Sequence, residues 1–157
     1  MSTGRRRGAA SAEVEVMISA ARVFAGITAE SLAQAGAGIS LPQLRVLVLA
    51  SRSDSLNATE VAAALQVHLS TSSRLCDRLV QAGLLDRRDR PEDRRQLQLT
   101  LTHEGLTLLD KITAHRRKVF TRILRRVDPA DSAALAQSLG LFVEAAHEYD
   151  PDRSLVP

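Results

Sequence analysis

Two short helical patterns separated by only three residues constrain the fold of this chain more than any other feature. The first, NATEVAAAL, starts at Asn57, a residue type that caps helices, and has Glu60 at the capping-box position. The second, LSTSSRLCDRLVQAG, ends at Gly83, and only residues 66–68 lie between the two patterns. This spacing predicts a helix-turn-helix, although Gln66 stands in a turn that often contains glycine.

The apolar period changes directly after Gly83, from the spacing of a helix to that of a strand. LLDRR is a short strand candidate, and DRPED is a turn with Pro91 suited to its second position. Leucines then alternate with polar residues over 97–102, as in a strand with one buried face. A hairpin over about residues 84–102, directly after a helix-turn-helix, predicts a winged helix.

Four further helices are predicted around this unit. The first covers about residues 11–35, where apolar residues recur at spacings of three and four. Ser40, with Gln43 three residues on, caps the second. Thr102 caps a long helix that reaches about Val127, with Gly105 where a capping box would have Glu, and Asp128 followed by Pro129 opens the last.

Composition narrows the class of protein. The single cysteine excludes an intrachain disulfide, and no run of about 18 apolar residues exists, so no membrane span is expected. Arg5, Arg6 and Arg7 form a basic cluster that we interpret as a disordered tail, with a DNA-contacting arm as the alternative. Residues 111–126 hold seven basic residues and no acid, whereas 128–157 hold six acids and one arginine.

The second helix of the pair has the residues of a DNA recognition helix. Its buried face should hold residues 72, 75, 76 and 79, which leaves Thr71, Arg74 and Arg78 on the opposite face with Ser70 and Ser73 beside it. Small hydroxyl residues allow close approach to DNA, and arginine can bind guanine edges or phosphate. The alternative is a solvated face whose arginines pair with Asp77 or Asp86.

The hairpin carries five arginines against four acids, so it is not a simple polycationic patch. One or two oriented arginines can nevertheless enter a narrow minor groove, where the potential is most negative. We therefore expect the acids to hold selected arginines toward DNA; the alternative is a self-neutralised surface loop. The candidate wing contacts are Arg88, Arg90, Arg94 and Arg95.

These motifs together resemble the MarR family of bacterial winged-helix transcription regulators, over about residues 12–148. The wing of that family carries Asp-x-Arg and then Leu-Thr-x-x-Gly, which correspond here to Asp93, Arg95, Leu101, Thr102 and Gly105. The resemblance implies that Arg95 enters the minor groove of double-stranded DNA while Asp93 orients it. It also implies a homodimer formed by the first helix and the last two.

The predicted elements, the composition of the termini and the resemblance together divide the chain into regions. Residues 37–102 form the winged helix-turn-helix domain, residues 11–36 and 103–150 form the helical dimerisation region, residues 1–10 are a disordered basic tail and residues 151–157 a frayed end. A pocket for a small anionic or phenolic effector is implied between the two regions. Candidate lining residues are Phe24, Ile27, Arg45 and Leu49.

This sequence also departs from the family pattern. Ser72 stands where the family usually has a larger aliphatic residue, and the reactive cysteine of the peroxide-sensing branch has no counterpart near the N-terminus. Cys76 is expected to be a core residue. The four histidines are scattered and no catalytic motif appears, so we expect neither a metal site nor an enzyme. A cytoplasmic, nucleoid-associated regulator is expected; a winged-helix module for protein contacts is the alternative.

Overall fold

The computed structural model describes the backbone of residues 3–36, 38–53, 56–89 and 97–149, and the side chains of 11–36, 38–53, 56–88 and 98–147. The chain is mainly helical with one small antiparallel sheet, which confirms the predicted fold class. The elements in chain order are α1 (Thr3–Ala35), α2 (Leu41–Arg52), α3 (Ala58–Leu65), α4 (Leu69–Gln81), β1 (Leu85–Asp89), β2 (Leu97–Leu101), α5 (His103–Leu124) and α6 (Pro129–Tyr149).

Both predicted capping boxes are present. The Ser40 backbone N–H donates to Gln43 Oε1 at 2.8 Å at the start of α2. Asn57 Oδ1 accepts from the backbone N–H groups of Thr59 and Glu60 at 2.9 and 3.0 Å, and Glu60 Oε2 accepts from the Asn57 N–H at 2.9 Å. Because a good N-cap contributes about 1 kcal/mol, these local signals fix where α2 and α3 begin.

The turn between α3 and α4 is as short as predicted, and Gln66 adopts a conformation that usually favours glycine. Its φ of 54° and ψ of 48° lie in the left-handed region. The Gln66 N–H donates to Ala63 O at 3.1 Å, and the Val67 N–H donates to Ala62 O at 3.0 Å. These bonds satisfy the last carbonyls of α3, which offsets the roughly 1–2 kcal/mol cost of a left-handed residue with a Cβ.

The wing pairs β1 with β2, in a register that runs from Leu85 opposite Leu101 to Asp89 opposite Leu97. A further residue joins this sheet: Leu56 forms an isolated bridge with Leu99, whose N–H donates to Leu56 O at 2.7 Å. The bridge attaches the base of the wing to the start of the helix-turn-helix.

One hydrophobic core lies between the helix-turn-helix, the wing and the start of α5. Its largest fully buried side chains come from α2, α4, β1 and α5: Leu44, Leu47, Leu79, Leu85 and Ile112. Leu99 of β2 and Leu108 of α5 belong to the same cluster. Because α5 shares this core, the long helix and the winged helix are built together.

Helix α1 differs from the prediction at its start. It begins at Thr3, so the disordered tail predicted for residues 1–10 is corrected to helical backbone from Thr3 onward. Arginine and alanine are strong helix formers, and residues 5–7, 9 and 10 are of these types. Disorder was predicted from the charge of these residues alone. A local positive charge does not prevent a helix from extending toward the N-terminus when the rest of α1 is already helical.

Helix α1 is also more apolar than expected. By length and composition alone, Ser11–Ala35 could cross a membrane, which corrects the inference that no segment has these properties. The C-terminal half of α1 packs along α5, with Ile27 and Ser31 buried and His115 Nε2 3.2 Å from Glu30 Oε1. Part of its apolar surface is therefore used inside the fold.

Helix α6 starts where predicted but packs little within the chain. Asp128 Oδ1 accepts from the Ala130 N–H at 2.9 Å, which confirms the cap, while α5 already ends at Leu124. Over the described residues, α6 makes at most marginal contact with the other elements. Large apolar side chains consequently remain exposed on α6 and on α1: Val14, Val16, Val23, Leu135, Leu141 and Phe142.

Candidate nucleic-acid interface

The predicted recognition helix is α4, and its buried and exposed faces are those expected from the sequence. Ser72, Cys76 and Leu79 are buried, and Leu75 is half-buried. The opposite face exposes Ser70, Thr71, Arg74 and Arg78, with Ser73 half-buried beside them. The helix therefore presents small hydroxyl residues at its first turn and two arginines behind them, an arrangement suited to a major groove.

Ser72 has a structural role that accounts for its departure from the family pattern. Its hydroxyl lies 2.5 Å from Ala58 O and 3.2 Å from Leu69 O, and the side chain is fully buried. A larger aliphatic residue would fill this position by packing alone. Serine instead bonds the first turn of α4 to the first residue of α3, and so fixes how the two helices cross.

We expect Ser72→Ala to lower the free energy of unfolding by about 1 kcal/mol, the usual net value of a buried hydrogen bond. Urea denaturation followed by circular dichroism measures this change. Ser73→Ala is the matched control, because Ser73 is the next residue of α4 and is half-buried. Equal unfolding midpoints for the two variants would contradict this role for the Ser72 hydroxyl.

The carboxylates beside α4 are engaged by arginines of the wing. Arg87 forms an ion pair with Asp77, and Arg88 Nε donates to Asp86 Oδ2 at 3.4 Å. Exposed pairs of this kind add little stability. Their consequence is that these two carboxylates are already paired with wing arginines. In the part of the chain that the structure describes, neither Arg74 nor Arg78 has a carboxylate within ion-pair distance. The alternative in which Asp77 or Asp86 neutralises them is not observed there.

The predicted wing contacts fall partly within the described residues. Arg88 is exposed on β1, whereas Arg90, Asp93, Arg94 and Arg95 lie outside the described residues. The pairing of Asp86 with Arg88 follows the expected pattern in which a wing acid holds a wing arginine. The orientation of Arg95 by Asp93 stays a prediction.

The base of the wing is joined to α5 without any spacer. The Thr102 hydroxyl donates to Gly83 O at 2.7 Å and accepts from the Gly105 N–H at 3.0 Å. A Cβ atom at Gly105 would lie 2.2 Å from Leu84 O and 2.9 Å from Leu101 Cδ2. This contact explains why Gly105 stands where a capping box would have Glu. Only glycine allows the first turn of α5 to lie so close to the base of the wing.

Cys76 belongs to the core and not to a reactive site. Its side chain is fully buried between α4 and its neighbours, which agrees with the prediction. Burial is the main cause that raises the pKa of the Cys76 thiol, so the group remains protonated near neutral pH.

The structure also contains a concave feature outside α4 and the wing. It is a cavity of about 640 Å³ with a largely apolar lining, contributed by α1, α2 and α5. Three of the four predicted effector residues line it, namely Phe24, Ile27 and Arg45; Leu49 does not. Leu49 is half-buried and packs against the core instead.

Seven lining residues of this cavity were not predicted, and two of them, Arg116 and Phe120, lie on α5. The Phe120 ring meets Phe24 edge-on, with ring centroids 5.9 Å apart. A signal was present: Ile112, Arg116 and Phe120 follow one another at a spacing of four, so the arginine occupies an apolar position. Arg116 was interpreted only as one member of the basic segment over residues 111–126.

Comparisons with known proteins give a consistent result. The model of the MarR family matches residues 39–97. HTH-type transcriptional repressor MdtR of Bacillus subtilis (strain 168) is 28% identical over 133 residues, which are 84% of this chain and 86% of that protein. The crystal structure of RV1404 from Mycobacterium tuberculosis has a TM-score of 0.80 at 35% identity, and the match covers 87% of this chain and 93% of that one. YusO from Bacillus subtilis has a TM-score of 0.70 at 27% identity, with coverage of 87% and 98%.

Proposed function

Because the chain belongs to the MarR family of HTH-type transcriptional regulators, we propose that it binds a pseudo-palindromic operator as a homodimer and represses transcription until a small-molecule effector releases it. The observation that carries this proposal is the exposed face of α4. Arg74 and Arg78 point away from the core, have no carboxylate partner among the described residues, and follow a first turn of small hydroxyl residues. Such a face can donate hydrogen bonds to phosphate oxygens and to the edges of guanine bases.

The exposed apolar surface of α1 and α6 supports the homodimer. The structure holds one copy of the chain, and in it α6 leaves Leu141, Phe142 and Val143 between 40% and 62% exposed. Exposed patches of this kind mark protein interfaces. A twofold axis through these helices would present two copies of α4 to successive major grooves, about 34 Å apart. A protein of this kind acts in the cytoplasm, at the nucleoid.

The cavity supports the effector. Its walls come from α1 and α5 on one side and α2 on the other, so a bound molecule touches both the helical region and the winged helix. Its volume falls within the usual range for small-molecule sites. A ligand with different affinities for the DNA-competent and DNA-incompetent arrangements would shift their populations. This arrangement supports the proposal that an anionic or phenolic molecule releases repression.

DNA binding is the first test. The full chain is mixed with its own upstream intergenic DNA, and separately with a scrambled duplex of equal length, at about 50 and about 200 mM salt. We expect specific binding by a dimer, with a loss of about a thousandfold in affinity between the two salt concentrations. A selection from random duplexes accompanies this assay. If no sequence is enriched, the protein-contact module becomes the better interpretation.

The wing gives a further prediction. Arg95→Ala should leave the fold and the dimer intact and weaken operator binding by about 1–3 kcal/mol, the range for a well-placed groove contact. Fluorescence anisotropy with labelled operator measures the change, and sedimentation checks the dimer. Unchanged affinity would remove Arg95 from the DNA contacts.

A further inference from the structure

One ion pair joins the candidate recognition helix directly to the wing. Arg87, the third residue of β1, pairs with Asp77, which lies about one turn before the end of α4. The pair of Arg88 with Asp86 differs, because both of its partners belong to β1. The Asp77–Arg87 pair therefore connects the two elements that are expected to contact DNA.

The register of the wing shows why Arg87 reaches α4. Residues two apart on a strand, and residues opposite each other on paired strands, lie on the same face of a sheet. Arg87 follows Leu85 by two positions and stands opposite Leu99, and both leucines are only 2% exposed. Arg87 thus occupies the face that packs on the helices, which separates it from Arg88 and from the other predicted wing contacts.

The pair also holds β1 at a point where the turn before it cannot. Only residues 82–84 separate α4 from β1, and the Leu84 N–H donates to Leu79 O at 2.9 Å, so the start of the strand is fixed. The five residues of β1 extend about 17 Å from that turn. Arg87 supplies a second attachment midway along β1, and the bridge of Leu56 to Leu99 attaches β2 at the same register position.

We propose that Asp77 and Arg87 are positioning residues for operator binding, whose ion pair holds the wing in place against α4 so that both elements contact one stretch of DNA together. The inference rests on the proposed function and concerns side chains that need not touch DNA. An exposed pair adds little to the free energy of unfolding. Binding groups must nevertheless be held to within about 0.5 Å, so a loosened wing costs operator affinity.

Charge alone and positioning predict opposite results for Asp77. DNA repels a carboxylate, so if Asp77 contributed only its charge, Asp77→Asn would bind the operator at least as tightly as the wild type. Loss of the link to the wing predicts weaker binding instead. The double variant Asp77→Asn/Arg87→Gln has the net charge of the wild type, because it removes one charge of each sign. It therefore separates positioning from general electrostatic attraction.

Anisotropy titrations at constant salt, with an operator selected from random duplexes, compare the wild type with Asp77→Asn, Arg87→Gln, the double variant and Arg87→Lys. Arg87→Lys is the conservative variant, since it retains a cation for Asp77. Asp110→Asn is the matched charge control, because Asp110 is exposed on α5 and belongs to none of the ion pairs found among the described residues. Circular dichroism and urea denaturation verify that every variant is folded with a similar unfolding midpoint.

We expect the two single variants to Asn and Gln to bind the operator about five- to twentyfold more weakly, within the range for loss of one groove contact. The double variant should be no weaker than the weaker single variant, because all three lose the same link. Arg87→Lys should stay within about threefold of the wild type. An Asp77→Asn variant that binds as tightly as the wild type or more tightly, or a double variant with wild-type affinity, would overturn the proposal.

Hydrogen exchange of the DNA-free protein tests the link without an operator. The backbone amides of β1 should exchange several-fold faster in Asp77→Asn than in the wild type or Asp110→Asn, because local opening governs exchange in a strand. Unchanged exchange would mean that β1 is held without the pair, and would also overturn the proposal.

The two proposals can fail separately. Faster exchange of β1 in Asp77→Asn, in a chain that enriches no DNA sequence, would overturn the regulator function and leave the link between α4 and the wing standing. Specific operator binding that Asp77→Asn and the double variant retain in full would do the reverse.

Discussion

Replacing Gly105 with alanine is expected to lower the free energy of unfolding by about 3 kcal/mol, at the upper end of the usual cost of overpacking. The added Cβ would lie 2.2 Å from Leu84 O, a backbone atom that cannot rotate away. That carbonyl also accepts the Thr102 N–H at 3.2 Å, so a shift of the chain at Leu84 would strain a second contact. Urea denaturation of the variant measures the loss.

Gly26→Ala is the matched control for this substitution. Gly26 lies within α1, and a Cβ built there meets nothing within 4 Å. Alanine is the better helix former by about 1 kcal/mol, so this variant should be as stable as the wild type or more so. A Gly105→Ala variant that unfolds at the wild-type urea concentration would contradict the close approach of α5 to the base of the wing.

Replacing both Arg74 and Arg78 with alanine is expected to abolish specific operator binding, with each arginine contributing about 1–3 kcal/mol. The reason is their position: both side chains are exposed on α4 and have no carboxylate partner among the described residues, so their charge is available to DNA. The fold should be unaffected, since neither side chain belongs to the core. Anisotropy titrations at constant salt measure the loss.

A variant with Arg5, Arg6 and Arg7 all replaced by alanine provides the comparison. It removes three positive charges where the α4 variant removes two, so general electrostatic attraction predicts the larger loss for the N-terminal change. Contacts made by α4 predict the opposite order. Even the single Arg74→Ala change should weaken binding more than the N-terminal triple change at moderate salt. The reverse order would move the main contact to the start of α1.

The features predicted correctly from sequence are those that depend on neighbouring residues. Caps at Ser40, Asn57 and Asp128 require only a side chain and an N–H two or three residues away, and all three are present. The division of α4 into buried and exposed faces follows from helical period alone. These signals were sufficient to place the candidate recognition helix.

Most of the errors come from contacts between residues distant in sequence, and one comes from a local preference. The bridge of Leu56 to Leu99 joins segments 43 positions apart, and no local sequence pattern predicts it. Arg116 lines a cavity built from three helices, so its meaning depends on Phe24 and Arg45 as well as on its own helix. The helical start of α1 at Thr3 was missed because charge was weighed above helix propensity.

The direct junction between the wing and α5 makes that helix a lever arm. Its 22 residues correspond to a rod about 33 Å long at 1.5 Å per residue. Thr102 and Gly105 clamp one end of the rod to the base of the wing. A tilt of about 6° about the far end would carry the clamped end through about 3.4 Å, which is the rise of one base pair. An angular change too small to disturb the packing of a core is thus enough to put a wing one step out of register along the duplex.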